Sequence, residues 1–201
     1  MERESIEYDV VVVGGGPSGL ASACKLKQLN PELSVCLLEK GSEIGSHIIS
    51  GAVFEPQTLF DLFPEDAKNC PTLKTSVVKD DLYWLANNNK SIKVPSWLMP
   101  KSLHNKGNYI ISLGELCQWI AERAMDLGVD IFPGFPAQQY LTDTNRRVIG
   151  IATGDMGIDK DGNQKGTYAP GMDILAKQTI FAEGARGHLG KKLIKEFGLD
   201  E

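Results

Sequence analysis

The residues best equipped for chemistry lie near the start of the chain: Gly14-Gly15-Gly16-Pro17-Ser18-Gly19, with Glu39 standing 20 residues past the last of those glycines. The glycines satisfy G-x-G-x-x-G, in which Gly14 is available for a tight turn, Gly16 lets the backbone approach a pyrophosphate, and Gly19 lets helix and sheet pack closely. A pyrophosphate set there would meet the unpaired N–H groups and the positive dipole end of a helix, so it needs no basic side chain. Pro17 suits the first turn of that helix. A carboxylate at Glu39 accepts hydrogen bonds from adenosine ribose hydroxyls and repels a 2′-phosphate, which disfavours NADP. The set predicts a dinucleotide cradle rather than a bare glycine turn.

Positioning these groups requires a strand, a turn and a helix. Residues 8–13 are a β-branched run of strand character, and residues 17–29 carry the helix until Asn30-Pro31 stops it. Residues 33–39 supply a second apolar run that pairs in parallel with the first, so a βαβ unit opens the protein. From Lys40 to about Ser112, Gly, Pro, Asn and Ser punctuate short apolar pieces such as 81–85 and 91–94, which marks an inserted region. Ser112 with Glu115 three residues on begins another helix, carried by Leu116, Trp119, Ile120 and Ala124 and ended by Gly128. Residues 129–132 are expected to form a further parallel strand. Residues 138–141 and 148–152 form a hairpin around Asp143-Thr144-Asn145-Arg146. A Gly- and Lys-rich loop then runs to about Gly171, a last strand spans 174–181, and a closing helix spans 189–197.

With 201 residues, 42% of them hydrophobic, the chain has material for one or two domains with a real core. A formal net charge of −5 and no basic run argue against binding nucleic acid. Cys24, Cys36, Cys70 and Cys117 stand far apart without a CxxC pair, and no secretory leader precedes the first strand. They are expected to be buried small hydrophobes or incidental thiols in a reducing compartment. His47, His104 and His188 are too scattered to suggest a metal site, and no nucleophile or acid–base set can be assembled. No catalytic side chain and no metal ligand is assigned. No apolar run reaches the roughly 20 residues of a membrane-spanning helix.

Beyond this motif, the segment 39–45 resembles the stretch that follows the ribose carboxylate in many FAD enzymes, Ile151-Ala152-Thr153-Gly154 resembles a hairpin motif of two-domain flavoproteins, and 181–187 resembles their later FAD-contacting turn. Closer still, Gly45-Ser46-His47-Ile48-Ile49-Ser50-Gly51-Ala52, Trp97-Leu98-Met99-Pro100, His104-Asn105-Lys106-Gly107-Asn108-Tyr109, residues 152–158 and residues 181–189 resemble the N-terminal part of the electron transfer flavoprotein-ubiquinone oxidoreductase family. The resemblance extends over essentially the whole chain. It implies an α/β, FAD/NAD(P)-binding Rossmann-like three-layer fold with an inserted α+β substrate- or membrane-facing region. Residues 1–57 plus 112–201 would form the FAD-binding domain, incomplete at its C-terminus, and 58–111 the inserted region.

The resemblance also implies FAD held by Gly14, Gly16, Pro17, Ser18, Gly19, Glu39 and Lys40, with Ser50, Gly51 and Ala52 near the isoalloxazine ring and Gly184 at the middle of the cofactor. Family members carry a 4Fe-4S cluster whose ligands lie beyond this chain, accept electrons from electron transfer flavoprotein and reduce ubiquinone at an inner membrane. Leu82-Tyr83-Trp84-Leu85 and Trp97-Leu98, with Lys90, Lys93 and Lys101 nearby, suit peripheral contact with a bilayer and equally suit the core of the inserted region. Two rival readings stand beside this one. One is a related FAD-dependent reductase or monooxygenase of the geranylgeranyl reductase type, consuming a nicotinamide cofactor. The other is a truncated, non-catalytic fragment.

Overall fold

The computed structural model describes residues 3–159 and 162–200. They divide into two compact units: one takes the chain up to Ile49 together with the residues from Cys117 onward, and the other is Ser50–Leu116.

The first unit opens with β1 (Ser5–Val13), buried at each position from Val10 to Val13, as a central parallel strand must be when both its faces are covered. α1 (Pro17–Leu29) follows and packs on the sheet through Leu20, Ala23 and Cys24, all fully buried. It ends where Asn30 leaves helical geometry, its N–H still donating to the Leu26 carbonyl. β2 (Val35–Glu39) begins two residues later than its apolar run suggested. The reason is Lys27, whose buried ammonium donates to the carbonyls of Pro31 (2.5 Å) and Leu33 (2.9 Å) and so holds residues 31–33 in a turn.

The second unit contains β3 (Gly51–Phe54), α2 (Gln57–Leu62), β4 (Thr75–Ser76), β5 (Leu82–Asn87), β6 (Lys90–Val94) and β7 (Tyr109–Ser112). β7 pairs antiparallel with β3 on one side and with the short β4 on the other, while β5 and β6 form a separate hairpin. All six residues of β5 are exposed, so burial imposes no alternation there for a sequence pattern to reveal.

α3 (Leu113–Asp126) begins as its capping signal predicts: the Ser112 hydroxyl accepts the Glu115 N–H at 3.3 Å. Next come β8 (Val129–Pro133), β9 (Ala137–Thr142), β10 (Val148–Thr153), β11 (Met156–Ile158), β12 (Gln164–Ala169), β13 (Asp173–Phe181) and α4 (His188–Phe197). The main sheet has the order β8-β2-β1-β13-β10-β9. Its first four strands are mutually parallel and the β9–β10 hairpin adds antiparallel to β13. This is the α/β, Rossmann-like arrangement that the sequence implies. One face gathers Val11, Val13, Cys36, Leu38, Ile151 and Ile174 into a buried cluster against which Phe132, Phe135 and Phe181 pack. Truncating a residue such as Leu38 to Ala there costs about 2–5 kcal/mol.

The stretch expected to be a Gly- and Lys-rich loop up to Gly171 contains the hairpin β11–β12. Its ladder slips between Met156 and Ile158, beside Gly157 at φ +69°, which breaks the period-two pattern by which a strand is recognised. The Asp159 carboxylate accepts the Asn163 N–H at 2.8 Å.

Candidate functional site

The glycine turn sits between β1 and α1, where the parallel strands end. Gly14 has φ +112°, and a Cβ on it would lie 2.4 Å from the Ala182 carbonyl oxygen, so only glycine fits. A Cβ on Gly19 would stand 2.0 Å from the Gly14 carbonyl oxygen, which is the close helix-to-turn packing that the motif requires. Gly16 contrasts with both: a Cβ there meets nothing within 4 Å. It is the N-cap of α1, with Pro17 in the first turn, no acidic residue in that turn and, among the described residues, no side chain bonded to the helix end. Ser18 is exposed beside it. The helix end thus has free space beside Gly16 and no acidic residue in its first turn, and the positive end of the helix dipole lies behind it, a geometry that fits a pyrophosphate.

Glu39 ends β2 and turns its carboxylate back over this loop. Its Oε2 accepts the Gly15 N–H at 2.8 Å, its Oε1 accepts the Gly41 N–H at 2.7 Å, and the His47 Nδ1 lies 3.7 Å from Oε1. Two backbone donors hold the carboxylate at the mouth of α1, where ribose hydroxyls joined to a pyrophosphate would lie. Gly15, an "x" of the motif, is closely packed too, though against a side-chain end that can shift: a Cβ on it would meet Ile44 Cδ1 at 2.6 Å. Gly41, likewise unassigned from sequence, would bring a Cβ to 2.5 Å from Ser46 Oγ. The one available signal was their place directly beside assigned residues. Lys40 follows Glu39 and is exposed.

Gly184 belongs to the same unit, in an exposed turn at φ +77° that leads from β13 to α4. The turn is tied to the glycine loop through its neighbour Ala182, whose N–H donates to the Val13 carbonyl at 2.8 Å. Ser50, Gly51 and Ala52 lie in the other unit at the start of β3, where Gly51 pairs with Ser112 and a Cβ on it would stand 2.9 Å from the Ile111 carbonyl oxygen. The structure thus gathers Gly14, Gly16, Pro17, Ser18, Gly19, Glu39 and the Gly184 turn in one unit and assigns Ser50–Ala52 to the second.

The four cysteines are free and buried. Burial pushes the Cys24 and Cys36 thiols up to about 12 and that of Cys117 to about 11, which suppresses the reactive thiolate. Among the described residues no group of three or more His, Cys, Asp or Glu is placed to hold a metal ion, so the residues present do not fit an iron–sulfur cluster. No described helix is long and apolar enough to cross a membrane. In the second unit, Trp84 (69%), Leu85 (76%), Trp97 (80%) and Leu98 (58%) expose much of their apolar surface. Lys93 and Lys79 both pair with Asp81, at 2.7 and 3.1 Å, and hold its carboxyl below the usual range.

Comparison with known proteins agrees with this geometry. A model of an NAD(P)-binding Rossmann-like domain matches residues 12–65. The chain is 56% identical over 100% of its length to the electron transfer flavoprotein-ubiquinone oxidoreductase of Pseudomonas aeruginosa, of which it covers 37%. It is 46% identical to the mitochondrial protein of the same name from Oryza sativa and 43% identical to that from Homo sapiens, over 99% of the chain in each case and 34% and 33% of those proteins. The chain spans about a third of the length of these curated relatives. Among solved structures, a geranylgeranyl bacteriochlorophyll reductase-like protein from Thermoplasma acidophilum matches with a TM-score of 0.66 at 23% identity, covering 93% of this chain and 42% of that one. THI4 from Thermovibrio ammonificans matches with a TM-score of 0.59 at 20% identity, covering 96% and 63%. At these identities the structural matches show a shared fold. Over its whole length, the chain is a homologue of the N-terminal third of the electron transfer flavoprotein-ubiquinone oxidoreductases.

Proposed function

We propose that this chain holds FAD by its adenosine diphosphate half and forms the FAD-binding part of an oxidoreductase that takes electrons from reduced electron transfer flavoprotein and delivers them to ubiquinone. The observation that carries the reading is the end-to-end match with proteins named for that reaction. FAD supplies the redox chemistry when bound. The chain's own residues hold it: the open first turn of α1 takes the pyrophosphate, Glu39 accepts the ribose hydroxyls, and Gly14 and Gly19 keep the loop close enough to both. On the resemblance alone, Lys40, Ser50, Gly51, Ala52 and Gly184 are further contacts of the same cofactor. No proton transfer is assigned to any side chain.

The test is the visible spectrum of the purified chain before and after adding FAD and removing the excess. Stoichiometric retained flavin is the expected result; a folded chain that retains none overturns the reading. Reduction of bound flavin by NADPH in place of reduced flavoprotein would overturn the donor assignment.

The proposal includes a peripheral position on an inner membrane. Its support is the exposed Trp84, Leu85, Trp97 and Leu98 beside the lysines of the second unit, since indole rings and basic side chains favour the headgroup region. Replacing Trp97 and Leu98 by Ser should weaken cosedimentation with anionic phospholipid vesicles, and unchanged binding would sink the membrane assignment.

A further inference from the structure

The first unit has a second helix N-terminus close to the glycine loop, and it is already filled. The Glu183 carboxylate reaches the start of α4, where its Oε1 accepts the N–H groups of His188 (3.1 Å) and Leu189 (3.2 Å) and its Oε2 accepts that of Gly190 (2.8 Å). Three otherwise unpaired donors and the positive helix end converge on one side chain of the protein itself. Gly187 leaves room for it, because a Cβ there would stand 2.6 Å from Glu183 Cβ. The backbone of Glu183 and Ala182 is at the same time the floor under Gly14: a Cβ on Gly14 would lie 2.4 Å from the Ala182 carbonyl oxygen and 3.3 Å from the Glu183 nitrogen. Ala182 Cβ also stands 3.2 Å from where a Cβ on Gly19 would be.

We infer that Glu183 is a positioning residue for the dinucleotide site: by occupying the N-terminus of α4 it locks the Ala182–Gly184 turn against the glycine loop and reserves the anion-binding role for α1. The inference rests on the proposed cofactor reading. It assigns Glu183 no contact with FAD, and it explains why two neighbouring helix ends do not compete for one pyrophosphate.

The test compares Glu183→Ala, Glu183→Gln and Tyr140→Phe in the full chain by FAD titration and thermal unfolding. The Tyr140 hydroxyl donates to Glu196 at the opposite end of α4, so its loss loosens that helix without touching the turn. Glu183→Ala should weaken FAD binding about fivefold, the scale of one lost charged helix cap. Glu183→Gln keeps an acceptor oxygen and should recover part of that loss, and Tyr140→Phe should lower the unfolding temperature while leaving FAD affinity within twofold. Inorganic phosphate should raise the unfolding temperature of Glu183→Ala more than that of the wild type, because only the variant has a vacated α4 terminus. Equal FAD affinity in wild type and Glu183→Ala, or equal phosphate shifts, overturns the inference alone. A wild-type chain that binds no FAD overturns the cofactor reading and the positioning role with it.

Discussion

The N-termini of α1 and α4 belong to one unit and adjoin the same stretch of backbone, yet they are finished in opposite ways. At α1 the cap is Gly16, with free space beside it and, among the described residues, no side chain bonded to the helix end. At α4 a carboxylate five residues upstream takes three N–H groups. An uncapped helix end is the less stable of the two by about 1 kcal/mol. On the proposed reading a ligand supplies the missing acceptor, and the less stable end is the one kept for binding.

The comparison is broken most severely at Gly19. Ala within a helix is ordinarily favoured over Gly by about 1 kcal/mol, but a Cβ 2.0 Å from the Gly14 carbonyl oxygen forces turn and helix apart. Gly19→Ala should cost about 3 kcal/mol in stability, the upper range for overpacking, and abolish flavin retention, as read by thermal unfolding and absorbance. Stable flavin binding by this variant would show that the close approach is dispensable.

A sharper test makes α1 resemble α4. Gly16 has extended backbone geometry (φ −79°, ψ 178°) and free space for a side chain, so Gly16→Asp should cap α1 and stabilise the apoprotein by about 0.5–1 kcal/mol. The same carboxylate would repel a pyrophosphate and weaken FAD binding by roughly a hundredfold. Stability and affinity should therefore move in opposite directions, and a parallel change in calorimetry and FAD titration would refute the assignment of α1 as the anion site.

Next in size, Glu39→Ala removes the proposed ribose acceptor and leaves the Gly15 and Gly41 N–H groups without their partner, at a cost of about 2 kcal/mol in the apoprotein. FAD affinity should fall about tenfold, while sulfate or phosphate binding at α1 stays within twofold. The smallest effect is expected at Asp9, which serves as a control away from both helix ends. A hydrogen bond from Lys177, then those from Ser34, bring its carboxyl down to about 2 from the ordinary 3.8. Its stabilisation is present above pH 3.8 and is lost as pH falls toward 2, so Asp9→Asn should flatten stability against pH in that window and leave flavin binding unchanged.

How much of this was legible depended on where burial constrained the chain. β1 was readable because two covered faces leave a dense apolar run, α3 because a capped amphipathic stripe does, and the strand–turn–helix around Gly14, Gly16 and Gly19 because the glycine spacing marks it; that these residues and Glu39 hold a dinucleotide is the proposal. β3 and β11–β12 were missed: β3 is short, and a slipped register with half-exposed residues carries no strict alternation. Glu183 lies in the 181–187 segment that the sequence singles out, but its capping role is not legible there, because the carboxylate reaches the α4 N–H groups from five to seven residues upstream and not from the N-cap position itself. The constraint on Gly15 arises likewise from Ile44, which reaches it from beyond the end of β2.

β1 lies between β2 and β13, and Val10 pairs at once with Val35 and Gln178. One wall of the glycine turn is thus local and the other arrives from the far end of the chain, with ties such as that of Lys177 to Asp9 closing a separation of 168 residues. Contacts so distant in sequence form late and slowly in folding. During synthesis the βαβ segment emerges with its anion-binding helix end but without the Ala182 backbone beneath Gly14, so it is a cradle with no floor. On the proposed reading, loading with cofactor follows completion of the sheet, which makes flavin capture a report on finished folding rather than a nucleus for it.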